Sequence, residues 1–215
     1  MPDRPTPTVT GLLAELHAYR VQTMAPAALA ANIDQRRLLE ETADRDAFVK
    51  AGDVVEPFTL PEVLGGTVDL DQLLAAGPVV LLFFRFAGCP ACNISLRHYQ
   101  QELYPALAEL GATLVAISPQ VPGKLAAIKN RYGFLFPVAS DTGSELGRRF
   151  GITFTPTHDL RAELGTDSWE LPMPTIVVID ANRVVRFADV HPDWLVRTEA
   201  DAVIDAVRAL VQVPA

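Results

Sequence analysis

Two cysteines stand three residues apart in the run Phe86-Ala87-Gly88-Cys89-Pro90-Ala91-Cys92, and the chain has no others. Such a pair can brace a fold, hold a metal or cycle between dithiol and disulfide. A structural disulfide framework needs more cysteines and wider loops. A closed zinc site needs four ligands. There is no second cysteine pair, and His17, His98, His158 and His191 form no His-x3–5-His spacing. The His-x-Glu element of a zinc deaminase is absent as well. A redox dithiol remains, in which one sulfur attacks and the other closes the disulfide. That chemistry needs no metal and no organic cofactor, and none is expected.

The surrounding residues predict where the dithiol sits. Residues 79–86 are a continuous apolar run broken only by Arg85, the pattern of a central strand buried on both faces. Gly88 ends it. Cys89 then occupies an N-cap position. Pro90 takes the first helical position, where a missing N–H costs nothing. Leu96, Tyr99, Leu103, Leu107 and Leu110 follow at spacings of three and four, one face of a helix expected to kink at Pro105. Free N–H groups and the helix dipole favour an anion at this junction. A thiolate so placed has a pKa of ~3.5–7.5 instead of ~8.5. Cys89 is expected to be exposed and capped. Arg85 either adds positive potential there or is a surface arginine at a strand end.

Length and composition set the frame. The chain has 215 residues, 49% hydrophobic and 20% charged, enough for one full core and unlike a disordered or disulfide-dense chain. Acidic residues number 26 against 18 basic, for a net charge of −8, which argues against a nucleic-acid partner. No apolar run is long enough to span a bilayer, so no membrane partner is expected. Residues 1–10 are polar and Pro-rich and lack the basic flank and apolar stretch of an export signal. A reducing cytoplasmic location is expected.

Residues 1–50 read as a helical N-terminal extension: Leu12, Leu13, Leu16 and Tyr19 share one helical face, Ile33, Leu38 and Leu39 suggest a second, and Pro26 divides them. It packs on the main domain or on a second subunit, which leaves a homodimer open. Residues 51–215 read as the main domain. Asp69 and Gln72 have capping-box spacing. Strands are expected at 112–118, 136–139, 175–180 and 184–190, the last two joined by a hairpin-length loop. Helices are expected at 124–132 and 143–150, and a last helix is opened by Thr198 and Asp201. Residues 152–173 read as long and irregular. This order predicts an α/β fold, a central mixed sheet flanked by helices.

A strand, Cys89-Pro90-Ala91-Cys92, a kinked helix and a later Met173-Pro174-Thr175 before a strand resemble a thioredoxin-like fold. The resemblance implies a cis Pro174 beside the dithiol, where with Met173 it shapes the groove for substrate; a trans proline starting a strand is the other reading. Further segments narrow the branch. These are Gly52-Asp53, Pro57-Phe58-Thr59-Leu60-Pro61, Gly77-Pro78-Val79-Val80, Leu114-Val115-Ala116-Ile117-Ser118-Pro119, Trp169-Glu170-Leu171-Pro172 and residues 187–194. Together they resemble peroxiredoxin-like proteins of the alkyl hydroperoxide reductase and thiol-specific antioxidant (AhpC/TSA) family. That family's pattern is Pro-x-x-x-Thr-x-x-Cys. Laid on this chain it puts Arg85 at the Pro position, Cys89 at the Thr position and Cys92 at the peroxidatic position. The family's later arginine falls at Pro174.

The resemblance implies a thiol-dependent peroxidase acting on hydrogen peroxide or organic hydroperoxides, recycled by a thioredoxin-like reductant. The alternative is a general thiol–disulfide oxidoreductase acting on disulfides, and a non-enzymatic interaction module is a third reading. Exposure favours Cys89 as nucleophile and Cys92 as resolving thiol, whereas the family register favours Cys92 as nucleophile. Trp169 walls the site or packs the core, and Trp194 and Phe187 belong to a dimer surface or to the core. His98 reads as a helix-surface residue. Asn93-Ile94-Ser95 reads as a chance glycosylation match on a helix.

Overall fold

A computed structural model describes residues 7–212; the first six residues of the Pro-rich start and the last three residues lie outside it. The chain opens with α1 (Val9–Thr23) and α2 (Pro26–Thr42). The Thr8 hydroxyl oxygen accepts the Gly11 N–H at 3.0 Å, and the Glu199 carboxylate accepts the N–H groups of Val9 and Thr10 at 3.0 Å each. Three of the N–H groups that a helix start leaves free are thereby satisfied. Pro26 sits at the start of α2, as its fixed φ allows. Val9 and Leu13 enter the main core, so the extension packs on its own chain.

The main domain begins with a small antiparallel pair, β1 (Thr59–Pro61) and β2 (Thr67–Asp69), followed by α3 (Leu70–Leu74). Asp69 caps α3 by accepting the Gln72 N–H at 3.0 Å, as the spacing predicts. Then come β3 (Val79–Phe83), α4 (Pro90–Glu109), β4 (Thr113–Ser118), α5 (Pro122–Tyr132), β5 (Val138–Ser140) and α6 (Glu145–Arg149). Next are β6 (Thr153–Phe154), α7 (Arg161–Leu164) and β7 (Leu171–Pro172). The chain finishes with β8 (Thr175–Ile179), β9 (Val185–Val190) and α8 (Ala200–Val211).

The main sheet has the order β5-β4-β3-β8-β9. β3 runs parallel to β4 and antiparallel to β8, so the sheet is mixed and β3 is its middle strand. All five β3 residues are buried. Their alternation divides the core. Val80 and Leu82 face Leu96, Tyr99 and Leu103 of α4 and Val203 and Val207 of α8. Val79, Leu81 and Phe83 face Leu70, Leu146 and Phe150 on the other side. Each fully buried Leu or Val contributes about 1.5–3 kcal/mol, so the middle strand is strongly fixed in register.

Several expectations change. The strand predicted over 79–86 ends at Phe83, because the chain must leave the sheet to reach the turn before Cys89. The last helix is not opened by Thr198. Its hydroxyl is drawn to Asp189 at 3.0 Å, and Glu199 takes the N-cap position while its carboxylate serves α1. Residues 152–173 are not irregular throughout but contain β6, α7 and β7 around a satellite cluster of Phe154, Leu160, Leu164, Leu171 and Met173. His98 is buried, not on the helix surface, because α1 and α8 cover that side of α4. No helix among the described residues is long and apolar enough to cross a membrane.

Candidate active site

The segment from Phe84 to Gly88 carries the chain from β3 to α4 and is held on both flanks. The Phe84 N–H donates to Ile117 O at 2.9 Å and the Ser118 hydroxyl donates to Arg85 O at 3.0 Å. The Gln120 side chain accepts the Ala87 N–H at 2.9 Å and donates to Glu163 O at 2.8 Å. The Cys89 N–H closes a turn onto Phe86 O at 3.1 Å. With its backbone so satisfied, this loop delivers Cys89 to the N-cap of α4 and Pro90 to its first turn. The Cys89 sulfur accepts the Cys92 N–H at 3.3 Å.

The two sulfurs are 2.7 Å apart. Both are sealed: Cys89 is 2% exposed and Cys92 0%. The expectation of an exposed Cys89 is therefore corrected. A bare strand-to-helix junction would expose it, but Leu13 and Leu16 of α1 join the apolar cluster that contains Cys89. Reaction with anything bulky requires this cover to move.

The pair carries unequal charge. Burial and the hydrogen bond to Cys92 push the Cys89 thiol well up. Burial also opposes ionisation of Cys92, but the Cys89 hydrogen bond and the guanidiniums of Arg197 and Arg85 outweigh it, lowering Cys92 to about 5. The pair therefore shares a proton across the short sulfur–sulfur contact, with Cys92 the more acidic member. Arg197 Nη2 lies 3.8 Å from the Cys92 sulfur. Its other amino group donates to the carbonyls of Trp194 and Val196 at 2.7 Å each, which fixes the guanidinium against the site. The Tyr99 hydroxyl donates to Thr198 O at 2.6 Å and secures the same loop onto α4. Charge-assisted donors of this kind stabilise a buried anion without reorganising.

Residues 51–188 match the AhpC/TSA family. The chain belongs to the AhpC/TSA family. Among relatives, it is 31% identical to a putative peroxiredoxin of Mycobacterium tuberculosis over 163 residues, 75% of this chain and 98% of that one. It is also 31% identical to the thiol-disulfide oxidoreductase ResA of Halalkalibacterium halodurans over 124 residues, 57% of this chain and 68% of that one. The solved peroxidoxin BcpB of Mycobacterium tuberculosis superposes with a TM-score of 0.61 at 31% identity, covering 75% of this chain and 98% of its own. PrxQ of Xylella fastidiosa superposes at 0.63 with 16% identity, covering 76% and 98%, and shows the shared thioredoxin-like architecture. The chain is a peroxiredoxin-like oxidoreductase.

Within this AhpC/TSA chain the residues singled out from sequence fare differently. Cys89, Cys92, Pro90 and Arg85 come together at the start of α4, and the half-buried Arg85 guanidinium lies close enough to favour a thiolate at either sulfur. Pro174 lines a small enclosed void with Phe84, Ser95, Tyr99 and Arg197. It is not cis: every peptide bond among the described residues is trans. Met173 and Pro174 continue straight into β8, Met173 N–H donating to Ile152 O at 2.7 Å and Pro174 O accepting His191 N–H at 2.9 Å, and this extended path requires no reversal. Met173 and Trp169 belong to the satellite cluster, Met173 as a buried member and Trp169 packed against it.

Sequence reasoning missed Arg197, Arg20 and Arg36, and left Trp194 undecided. Trp194 is buried, and Arg20 of α1, Arg36 of α2 and Arg85 place their guanidinium carbons 5.3, 5.6 and 4.7 Å from its ring centre. Nothing in local spacing announces residues brought in from three separate elements. A cavity of about 330 Å³ beside β1 and α6 lies on another part of the domain, and its lining holds neither cysteine.

Proposed function

We propose that this oxidoreductase is a thiol-dependent peroxidase whose first step occurs at Cys92. The observation that carries this reading is the 2.7 Å contact between the two sulfurs, with the Cys92 sulfur under Arg197. The Cys92 thiolate attacks the outer oxygen of a hydroperoxide. The O–O bond breaks, the sulfur becomes a sulfenic acid, and the alkoxide or hydroxide leaves with a proton as alcohol or water. The Cys89 thiol then condenses with the sulfenic acid, releasing water and forming the Cys89–Cys92 disulfide. A thioredoxin-like dithiol attacks the Cys89 sulfur. Cys92 leaves as the thiolate it is poised to be, a good leaving group at its low pKa. A second exchange frees Cys89 and returns both electrons. This order follows the family register and reverses the one argued from exposure, since the exposure of the two sulfurs hardly differs.

A thiol–disulfide oxidoreductase with little peroxidase activity is the second reading. The ResA relative and the absence of the family's Thr and Pro at Cys89 and Arg85 favour it. Stopped-flow oxidation of the reduced protein separates the two. Rapid reaction with hydrogen peroxide or an organic hydroperoxide, and slow reaction with insulin-type disulfides, is expected; the opposite ranking replaces the first reading by the second.

A further inference from the structure

Beside the dithiol, four donor nitrogens are buried without an acceptor among the described residues: Arg20 Nη1, Arg36 Nε, Arg85 Nε and Trp194 Nε1. They belong to one cluster, because all three guanidiniums stand over the Trp194 ring. Buried donors are rarely left unpaired, because each has lost its hydrogen bonds to water without a replacement. Charge is unbalanced too. Asp193 pairs with Arg36 at 3.0 Å, while Arg20 and Arg85 have no carboxylate partner among the described residues. The Cys92 thiolate faces Arg85 and Arg197 and is consumed when the sulfur is oxidised. The indole and the Phe86 ring, 5.4 Å from the Arg85 guanidinium, supply apolar walls.

We propose that Arg20, Arg36, Arg85 and Trp194 form a receptor for the carboxylate of a small organic substrate that reacts at the dithiol. An ionised carboxylate has two oxygens with about four lone-pair sites, matching four donors that have no acceptor. It neutralises the excess positive charge, and its apolar body lies along Trp194 and Phe86. Entry requires the Arg20 side chain to swing aside. Arg20 is only half-buried, so the path to the cluster from solvent is the one past its side chain. The carboxylate belongs to an organic hydroperoxide or to a small thiol reductant. The first source deepens the peroxidase reading and rests on it; carboxylate binding itself does not.

The test uses the full chain with Trp169→Phe, which leaves Trp194 as the one indole, in the reduced state. Octanoate is expected to change Trp194 fluorescence saturably, and 1-octanol is expected not to. Arg20→Gln should weaken octanoate binding roughly tenfold while Arg20→Lys retains part of it, with folding checked by circular dichroism. A fatty-acid hydroperoxide should then oxidise the dithiol roughly tenfold faster than its methyl ester, and Arg20→Gln should erase that ratio. If instead 3-mercaptopropionate outpaces its methyl ester as reductant, the carboxylate comes from the reductant, and the receptor stands. Octanoate binding with both hydroperoxides inert leaves the receptor intact and removes the peroxidase reading. Absence of octanoate binding, or equal binding by the folded Arg20→Gln protein, overturns the receptor.

Discussion

The Arg197 guanidinium lies 3.8 Å from the Cys92 sulfur, although 105 residues separate them in the chain. It makes the inner sulfur of the pair the better anion. Arg197→Met is expected to raise the thiolate pKa, read from absorbance near 240 nm, and to slow peroxide oxidation roughly tenfold. Arg197→Lys should keep part of the effect. An unchanged titration in Arg197→Met would remove this arginine from the site.

Titration also couples to stability. Cys92 has a folded pKa of about 5 against an ordinary thiol value of 9.0. Between those values the unfolded chain holds a proton that the folded chain has released, so the stability of the reduced protein rises with pH across that window. The contribution is complete above pH 9 and is lost as pH falls through about 5. Denaturant unfolding of reduced wild type and Cys92→Ser at several pH values checks the sign: the serine variant should lose this component of the slope.

Serine replacements read the order of attack. Cys89→Ser should consume about one equivalent of peroxide and leave a sulfenic acid on Cys92 that a dimedone-type reagent traps. Cys92→Ser should be oxidised far more slowly. The reverse pattern, seen by intact mass, would give Cys89 the first step and keep the dithiol.

Tyr99 joins α4 to the loop that carries Arg197. Tyr99→Phe removes the donor to Thr198 O and strands a buried carbonyl, costing about 1–3 kcal/mol in chemical denaturation. Because the loop that carries Arg197 loses one of its ties to α4, the thiolate pKa should rise slightly in the same variant.

Gly151 ties the domain to the end of the extension. Its φ is +69°, and an added Cβ would lie 2.0 Å from the Ala47 carbonyl oxygen, which is backbone and cannot step aside. Gly151→Ala is expected to cost more than about 2 kcal/mol, from the left-handed conformation and the clash together. A thermal midpoint close to wild type would show that the 45–47 turn moves freely.

Local patterns in the sequence determined the dithiol, its seat at a helix start, the buried middle strand and the Asp69 cap. Each depends on neighbours within a few residues: an apolar run, a Gly, a Pro at the first helical position, a carboxylate three residues before an N–H. The tertiary structure alone decided that both sulfurs are sealed, that Cys92 is the more acidic of the two, and that Arg20, Arg36, Arg85 and Arg197 gather around them. It also decided that Pro174 is trans and that Thr198 turns to Asp189 instead of capping α8. Burial and electrostatic fields are sums over groups close in space, and such groups come from distant parts of the chain. Spacing along the sequence records only the near part of that sum.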